Sequence, residues 1–173
     1  MLYERAMGAA FASLPAPLRR FHTHPDTPHY RGEVTVTHGS SAARLLARAG
    51  SMPAFSGTMP FGFRILRDGD TERWEREFDG HLTASRQWLH APGIVAEQVG
   101  GSTFLMAPAP RDGQLHIPIV GLNAFGLPLP RGVLRSCEGI EWVTEEGQIG
   151  FDVHASLRGL GLVIRYRGQM APV

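Results

Sequence analysis

The chain has 173 residues, of which 43% are apolar, and its formal net charge is +1. These values predict a globular fold with a sizeable core and exclude a disordered chain. The 17 basic residues are dispersed, so no basic stripe supports binding to nucleic acid. All of them are arginines, which excludes chemistry that needs a lysine Schiff base or the lysine of a phosphate loop.

Cys137 is the only cysteine, which excludes an intrachain disulfide and a zinc site built from cysteines. Residues 1–5 contain an early acid and lack the apolar core of a signal peptide. No apolar run approaches the roughly 18 residues that a membrane-spanning helix needs. We therefore expect a cytoplasmic protein without a transmembrane segment.

The first 50 residues carry the helical patterns of the chain. Apolar residues at helical spacing, with a proline at the start of a second short helix, predict a helical part over residues 2–22. Residues 30–38 alternate between apolar and polar side chains and predict a half-buried strand. Ser40 or Ser41 is a predicted N-cap and Gly50 a predicted C-terminal signal, so a further helix is expected over residues 40–50.

From residue 60 onward the pattern is that of short β-strands separated by turns. Turn signals such as Asp79-Gly80 recur between alternating segments and predict an antiparallel meander over residues 60–168. We expect an α+β, mainly antiparallel fold: a curled sheet or a closed β-barrel of about 8–10 strands with two or three helices in the N-terminal 50 residues. The whole chain, residues 1–173, is predicted to form a single domain. Barrels of about eight strands can enclose one small ligand.

Three predicted strands place a charged side chain in an otherwise apolar row. Because side chains alternate along a strand, each charge shares a face with the residues two positions away. A charge on a core-facing row must be paired or reach water. Two interpretations remain open: a polar spot in an apolar ligand pocket, or an open sheet whose second face is solvated. The three groups are Arg76 with Trp74 and Phe78, Arg86 with Ala84 and Trp88, and Glu97 with Val95 and Val99.

These rows supply the candidate site residues. Glu97 is either a general base or the partner of Arg86 or Arg76 in a structural ion pair. His38 and His90 lie at strand ends and are candidate acids or bases at a barrel mouth. Arg86 is a candidate stabiliser of developing negative charge. The predicted ligand-binding residues are Arg76, Trp74, Phe78, Trp88 and Tyr166.

Neither a cofactor nor a metal ion is expected. His22, His24 and His29, with Asp26 among them, lie in a proline-rich stretch, but their spacing matches no standard metal motif, so a polar loop is predicted. No Gly-X-Gly-X-X-Gly follows a strand, and no Gly-X-Ser-X-Gly elbow is present.

A series of motifs runs along most of the chain in a specific order: Leu2-Tyr3, residues 14–22, 43–48 and 97–100, the Gly-Leu-Pro-Leu-Pro run at 126–130, and Tyr166-Arg167-Gly168. In these motifs the chain resembles an uncharacterised bacterial domain family. The family has no assigned activity, but its members often look like C-terminal partners of nicotinamide-dependent reductase or epimerase domains, which implies a reductase as a candidate partner.

Three hypotheses follow for function. The leading one is a protein that binds a small organic or lipid-like molecule in an apolar pocket. The second is an isomerase, cyclase or dehydratase that works without a cofactor on a polyketide- or terpene-like substrate, by acid–base catalysis and confinement. The third, implied by the family resemblance alone, is a non-catalytic partner of a reductase.

Overall fold

A computed structural model describes residues 1–24, 28–124 and 126–173. Within these residues it has three α-helices, all in the N-terminal 50 residues, and two short 3-10 helices at Gly8–Ser13 and Arg131–Val133. The α-helices are α1 (Leu2–Met7), α2 (Ala16–Thr23) and α3 (Ser41–Ala49). The strands are β1 (Tyr30–Thr37), β2 (Gly57–Asp68), β3 (Thr71–Phe78), β4 (His81–Ala91), β5 (Ile94–Val99), β6 (Ser102–Met106), β7 (Ala109–Arg111), β8 (Gln114–Ala124), β9 (Leu127–Pro128), β10 (Leu134–Val143), β11 (Ile149–Leu157) and β12 (Gly161–Pro172).

The sheet closes on itself. In the described part of the chain, ten antiparallel strands run from β1 to β6, then to β8, β10, β11 and β12, and β12 pairs with β1. Closure between β8 and β10 comes from paired residues such as Gly139 with Ile117 and Glu141 with Leu115. The short strands β7 and β9 pair with β8 outside this ring. The predicted mainly antiparallel barrel with N-terminal helices is therefore confirmed.

The helices α1 and α2 cover one end of the barrel, which we call the plugged end. Tyr3 of α1 stacks on Trp74 with ring centroids 5.6 Å apart, and Phe21 of α2 lies 5.4 Å from Phe63. Both aromatic side chains are buried. The amphipathic N-terminal segments thus bury their apolar faces against the start of β3 and the middle of β2 rather than against each other alone.

The helix α3 lies at the opposite end, because it connects the end of β1 to the start of β2. Of the two serines that the sequence offers as N-cap, Ser40 takes this position and accepts a hydrogen bond from the backbone N–H of Ala43. Ala43 and Ala47 are buried, whereas Leu45 remains exposed. Among the helices in the described residues, none is long and apolar enough to cross a membrane.

The last strand is longer than the sequence indicates. The alternating pattern predicts that the meander ends at residue 168, but β12 continues to Pro172. Its final residues pair with the start of β1, where Tyr30 lies opposite Pro172 and Gly32 opposite Met170. Met170 is the one large apolar side chain after residue 168 that is buried, so the sequence of this stretch shows too little apolar alternation to predict a strand.

The backbones of β1 and β12 approach each other closely at two glycines, which have no side chain to separate them. A Cβ added at Gly32 would lie 1.9 Å from the carbonyl oxygen of Gln169, and one added at Gly168 would lie 2.1 Å from that of Glu33. Real Cβ atoms do not come so close to backbone oxygens. The strand pair that completes the barrel therefore requires glycine at both positions.

We expect Gly32→Ala to lower the free energy of unfolding by more than about 2 kcal/mol, because β1 or β12 must move to admit the methyl group. Gly132→Ala is the matched control, since a Cβ at Gly132 meets no atom within 4 Å. Urea unfolding followed by circular dichroism measures both. Equal stability of the two variants would contradict the close approach of β1 and β12.

Candidate functional site

Three neighbouring strands line one side of the barrel interior with polar groups. The register pairs Trp74 with Ser85 and Arg76 with Thr83, and it pairs Gln87 with Glu97, so these side chains share the inner face. Most of them are buried. We call this surface the polar wall; its inward residues are Glu72, Trp74 and Arg76 of β3, Thr83, Ser85 and Gln87 of β4, and Glu97 of β5.

Arg76 is the centre of the polar wall. Its Nη1 donates to Ser85 Oγ at 3.0 Å, and its Nη2 donates to Glu97 Oε1 at 3.0 Å. Ser85 Oγ in turn donates to Glu97 Oε1 at 2.5 Å. The guanidinium also lies 5.5 Å from the centroid of the Trp74 ring. A buried charge is thereby held by an ion pair, a neutral hydroxyl oxygen and an aromatic face.

These contacts decide the ionisation of the buried groups. Burial alone would lower the pKa of Arg76, but its contacts with Tyr166 and Glu97 outweigh burial and raise the pKa above its ordinary value. Burial raises the pKa of Tyr166, an effect that the positive charge of Arg76 partly offsets. The barrel interior thus contains a permanent cation beside a neutral phenol.

A second polar group lies toward the plugged end. His22 Nε2 is 2.8 Å from Glu141 Oε2, and the rings of His22 and Tyr3 are 4.3 Å apart. The indole N–H of Trp74 donates to Glu72 Oε2 at 3.0 Å. Burial raises the pKa of Tyr3 well above its ordinary value, and the carboxylates of Glu141, Glu97 and Glu72 raise it further. The plug is therefore fixed to the barrel by polar contacts as well as by aromatic packing.

The remainder of the inner surface is apolar, and part of it is incompletely covered. Val153 pairs with Tyr166, and Ala155 pairs with the buried Ile164, so both residues face inward. They are nevertheless only partly buried, as is Phe104, which pairs with Glu97. The side chains of Arg76 and Glu97 keep 11% and 14% of their surface exposed. These inward-facing side chains of the polar wall and of the apolar surface are therefore not completely covered by their neighbours.

The structure places five of the predicted site residues inside the barrel. Trp74, Phe78 and Tyr166 are buried there, with the rings of Phe78 and Tyr166 5.7 Å apart. Arg76 and Glu97 face inward, as the alternation predicts, and they pair with each other. Of the two interpretations of Glu97, the ion pair with Arg76 is the one that the structure contains.

The inward orientation expected for Arg86 and Trp88 is wrong. Arg86 is exposed, and both residues lie in a shallow surface groove beside Asp70. The physical reason is the two-residue turn at Asp79-Gly80, where both residues have positive φ. This turn pairs Phe78 with His81 and so directs Thr83, Ser85 and Gln87 inward, and the alternate row outward.

The two candidate histidines lie apart from the polar wall. His38 follows β1 at the α3 end, where its ring nitrogens lie 3.0 Å from Ser56 Oγ and 3.0 Å from the Pro53 carbonyl oxygen. Burial lowers the pKa of His38. His90 is exposed near the end of β4, at the plugged end. The structure brings neither histidine to Glu97.

Sequence reasoning missed several members of the site. Ser85 and Gln87 were detectable, because the turn at Asp79-Gly80 sets the strand register. The pairing of His22 with Glu141 joins residues 119 positions apart, and no local pattern indicates it. Among the described residues no cluster of three or more His, Cys, Asp or Glu could hold a metal ion. Asp26, named above beside the neighbouring histidines, lies outside the described residues.

Comparisons with known proteins agree with the resemblance stated above. A family described as a domain of unknown function, DUF4166, matches residues 14–170. A search of curated proteins finds no significant match. Among solved structures, the chain is similar to the crystal structure of Rv2717c from M. tuberculosis, with 8% identity and a TM-score of 0.47 over 92% of this chain and 99% of that one.

We expect Arg76→Met to lower the free energy of unfolding by about 3–5 kcal/mol, because it leaves Glu97 buried without its cation. The double variant Arg76→Met/Glu97→Leu should lose less, since both charges are removed together. Arg165→Met is the surface control: its pair with Asp152 is half exposed, and we expect a change of about 0–1 kcal/mol. A double variant less stable than Arg76→Met would contradict the buried pair.

All three tyrosines have a raised pKa in the folded protein, chiefly through burial. In the unfolded chain they ionise near pH 10. The free energy of unfolding therefore falls as the pH rises above about 10, because the unfolded chain releases these protons at a lower pH than the folded protein does. Ultraviolet titration should show phenolate absorbance in the native protein only above the pH at which the urea-unfolded chain ionises. A native tyrosine with an ordinary titration would contradict this burial.

Proposed function

Because the chain belongs to the DUF4166 family, whose description names no activity, we propose a function from the geometry of the barrel. The protein binds a small organic or lipid-like molecule inside the barrel. The molecule has an apolar body and a polar end. The apolar surface around Val153 and Ala155 contacts the body, and the polar wall orients the polar end.

The observation that carries this proposal is the exposed surface that remains inside a closed sheet. Inward-facing side chains on both sides of the interior, such as Glu97 and Ala155, are incompletely covered. Protein interiors are otherwise packed to a density that leaves few voids larger than a water molecule. An interior with incompletely covered side chains, an apolar surface and a few convergent polar groups has the usual composition of a small-molecule site.

The contacts favour binding over the isomerase or cyclase alternative. The base in that mechanism would be Glu97, His38 or His90. Glu97 instead holds Arg76 through an ion pair, and the two histidines lie toward opposite ends of the barrel. In the binding function Arg76 and Glu97 orient the ligand, while Trp74, Phe78 and Tyr166 form the surrounding aromatic surface.

We expect the uncharged apolar dye phenylnaphthylamine to fluoresce when it is added to the protein, because the interior excludes water. Ala155→Phe should abolish the signal by filling the space, with little effect on stability. Ala84→Phe is the matched control, since Ala84 pairs with Glu75 on the outer face and its variant should bind the dye as the wild type does.

Native mass spectrometry of freshly purified protein complements this assay. A co-purified small molecule should appear on the wild type and on Ala84→Phe, and it should be absent from Ala155→Phe. Dye binding that is absent from the wild type, or unchanged in Ala155→Phe, would refute a binding site inside the barrel.

A further inference from the structure

Three carboxylates face the interior in the described part of the chain, and each already lies beside a basic side chain. Glu97 lies 3.0 Å from Arg76, Glu141 lies 2.8 Å from His22, and Glu72 Oε1 lies 3.6 Å from Arg67 Nε. A ligand with a charged end would bring an additional ion into this surface without a free counter-ion, and burying an unpaired ion is strongly unfavourable.

Two acceptor atoms of the polar wall, in contrast, have no hydrogen-bond partner among the described side chains. Both hydrogen bonds that Glu97 accepts from described side chains end on Oε1, which leaves Oε2 available. Gln87 is 1% exposed, and its Oε1 has no hydrogen-bond partner among the described residues. Buried polar atoms are rarely left without a partner, so the Gln87 amide indicates that a hydrogen-bonding group is missing at this place.

The two residues that carry these acceptors are neighbours. Gln87 and Glu97 are directly opposite each other on the inner faces of β4 and β5. Side chains of such a pair have Cβ atoms about 5 Å apart, so a single small group that enters between the two side chains can bond to both. Glu97 Oε2 can only accept a hydrogen bond, whereas the Gln87 amide offers an acceptor and a donor. The group that fits between them must donate one hydrogen bond and be able to take part in a second.

From this arrangement we infer that the ligand carries an uncharged hydroxyl group at its polar end, and that this hydroxyl lies between Glu97 and Gln87. The O–H donates to one of the two oxygens, and the hydroxyl oxygen accepts from the Gln87 amide when that amide presents its N–H. The ligand class is therefore an apolar alcohol, and it is neither a carboxylic acid nor an amine. This inference rests on the binding function proposed above.

Isothermal titration calorimetry with octanol, octanoate and octylamine at neutral pH tests this selectivity, because the three probes share one chain and differ in their polar end. We expect octanol to bind at least about tenfold more tightly than either charged probe. Gln87→Leu should weaken octanol binding by about tenfold, the usual effect of losing one buried hydrogen bond. Gln98→Leu makes the same chemical change on the outer face and should leave binding unchanged.

Thermal denaturation confirms that both variants are folded before the titrations are compared. Tighter binding of octanoate or octylamine than of octanol, or full octanol affinity in Gln87→Leu, would overturn the hydroxyl assignment and leave the binding function intact. Binding of phenylnaphthylamine without any binding of octanol would do the same. Absence of both the dye and all three probes from the wild type would overturn the binding function itself.

Discussion

Pairing of β8 with β10 is the constraint on which the interior depends, because it turns a curled sheet into a closed surface. Once the ring is closed, every second side chain along each strand loses direct contact with bulk water. Apolar rows such as that of Phe61 and Phe63 gain from this burial. Arg76 and Glu97 do not, and each needs a partner inside the same barrel. Their ion pair, with Ser85 bridging them, is therefore a condition for closing the sheet with this sequence.

The two ends of the barrel differ in the kind of contact that covers them. At the plugged end, aromatic rings of α1 and α2 enter the barrel, and His22 and Tyr3 join a set of buried carboxylates. At the other end, α3 packs small alanine side chains toward the barrel and leaves Leu45 in solvent. The plugged end is densely packed, whereas α3 covers its end with small side chains. Inward residues toward the α3 end, such as Ala155 near the end of β11, are therefore incompletely covered.

Local patterns predict the barrel and three of the seven residues of the polar wall, Trp74, Arg76 and Glu97. Turn dipeptides and alternation were sufficient for the strands, and alternation alone oriented Arg76 and Glu97, because each lies between apolar neighbours on its own strand. The apolar neighbours of Arg86 and Trp88 on β4 predict that this row faces inward, but the Asp79-Gly80 turn sets the opposite register and directs it outward. The contact of His22 with Glu141 forms only in the tertiary structure, so no local sequence pattern in either segment predicts it.

The bond between His22 and Glu141 also has a consequence for the order of folding during synthesis. It spans 119 positions, so the partner of α2 is made long after α2 itself. Until β10 emerges from the ribosome, His22 lacks its carboxylate partner, and the barrel that α1 and α2 cover cannot close. Contacts of such high sequence separation form late and slowly. The plug precedes the barrel strands in the chain, yet in this respect it is among the last segments to complete its native contacts.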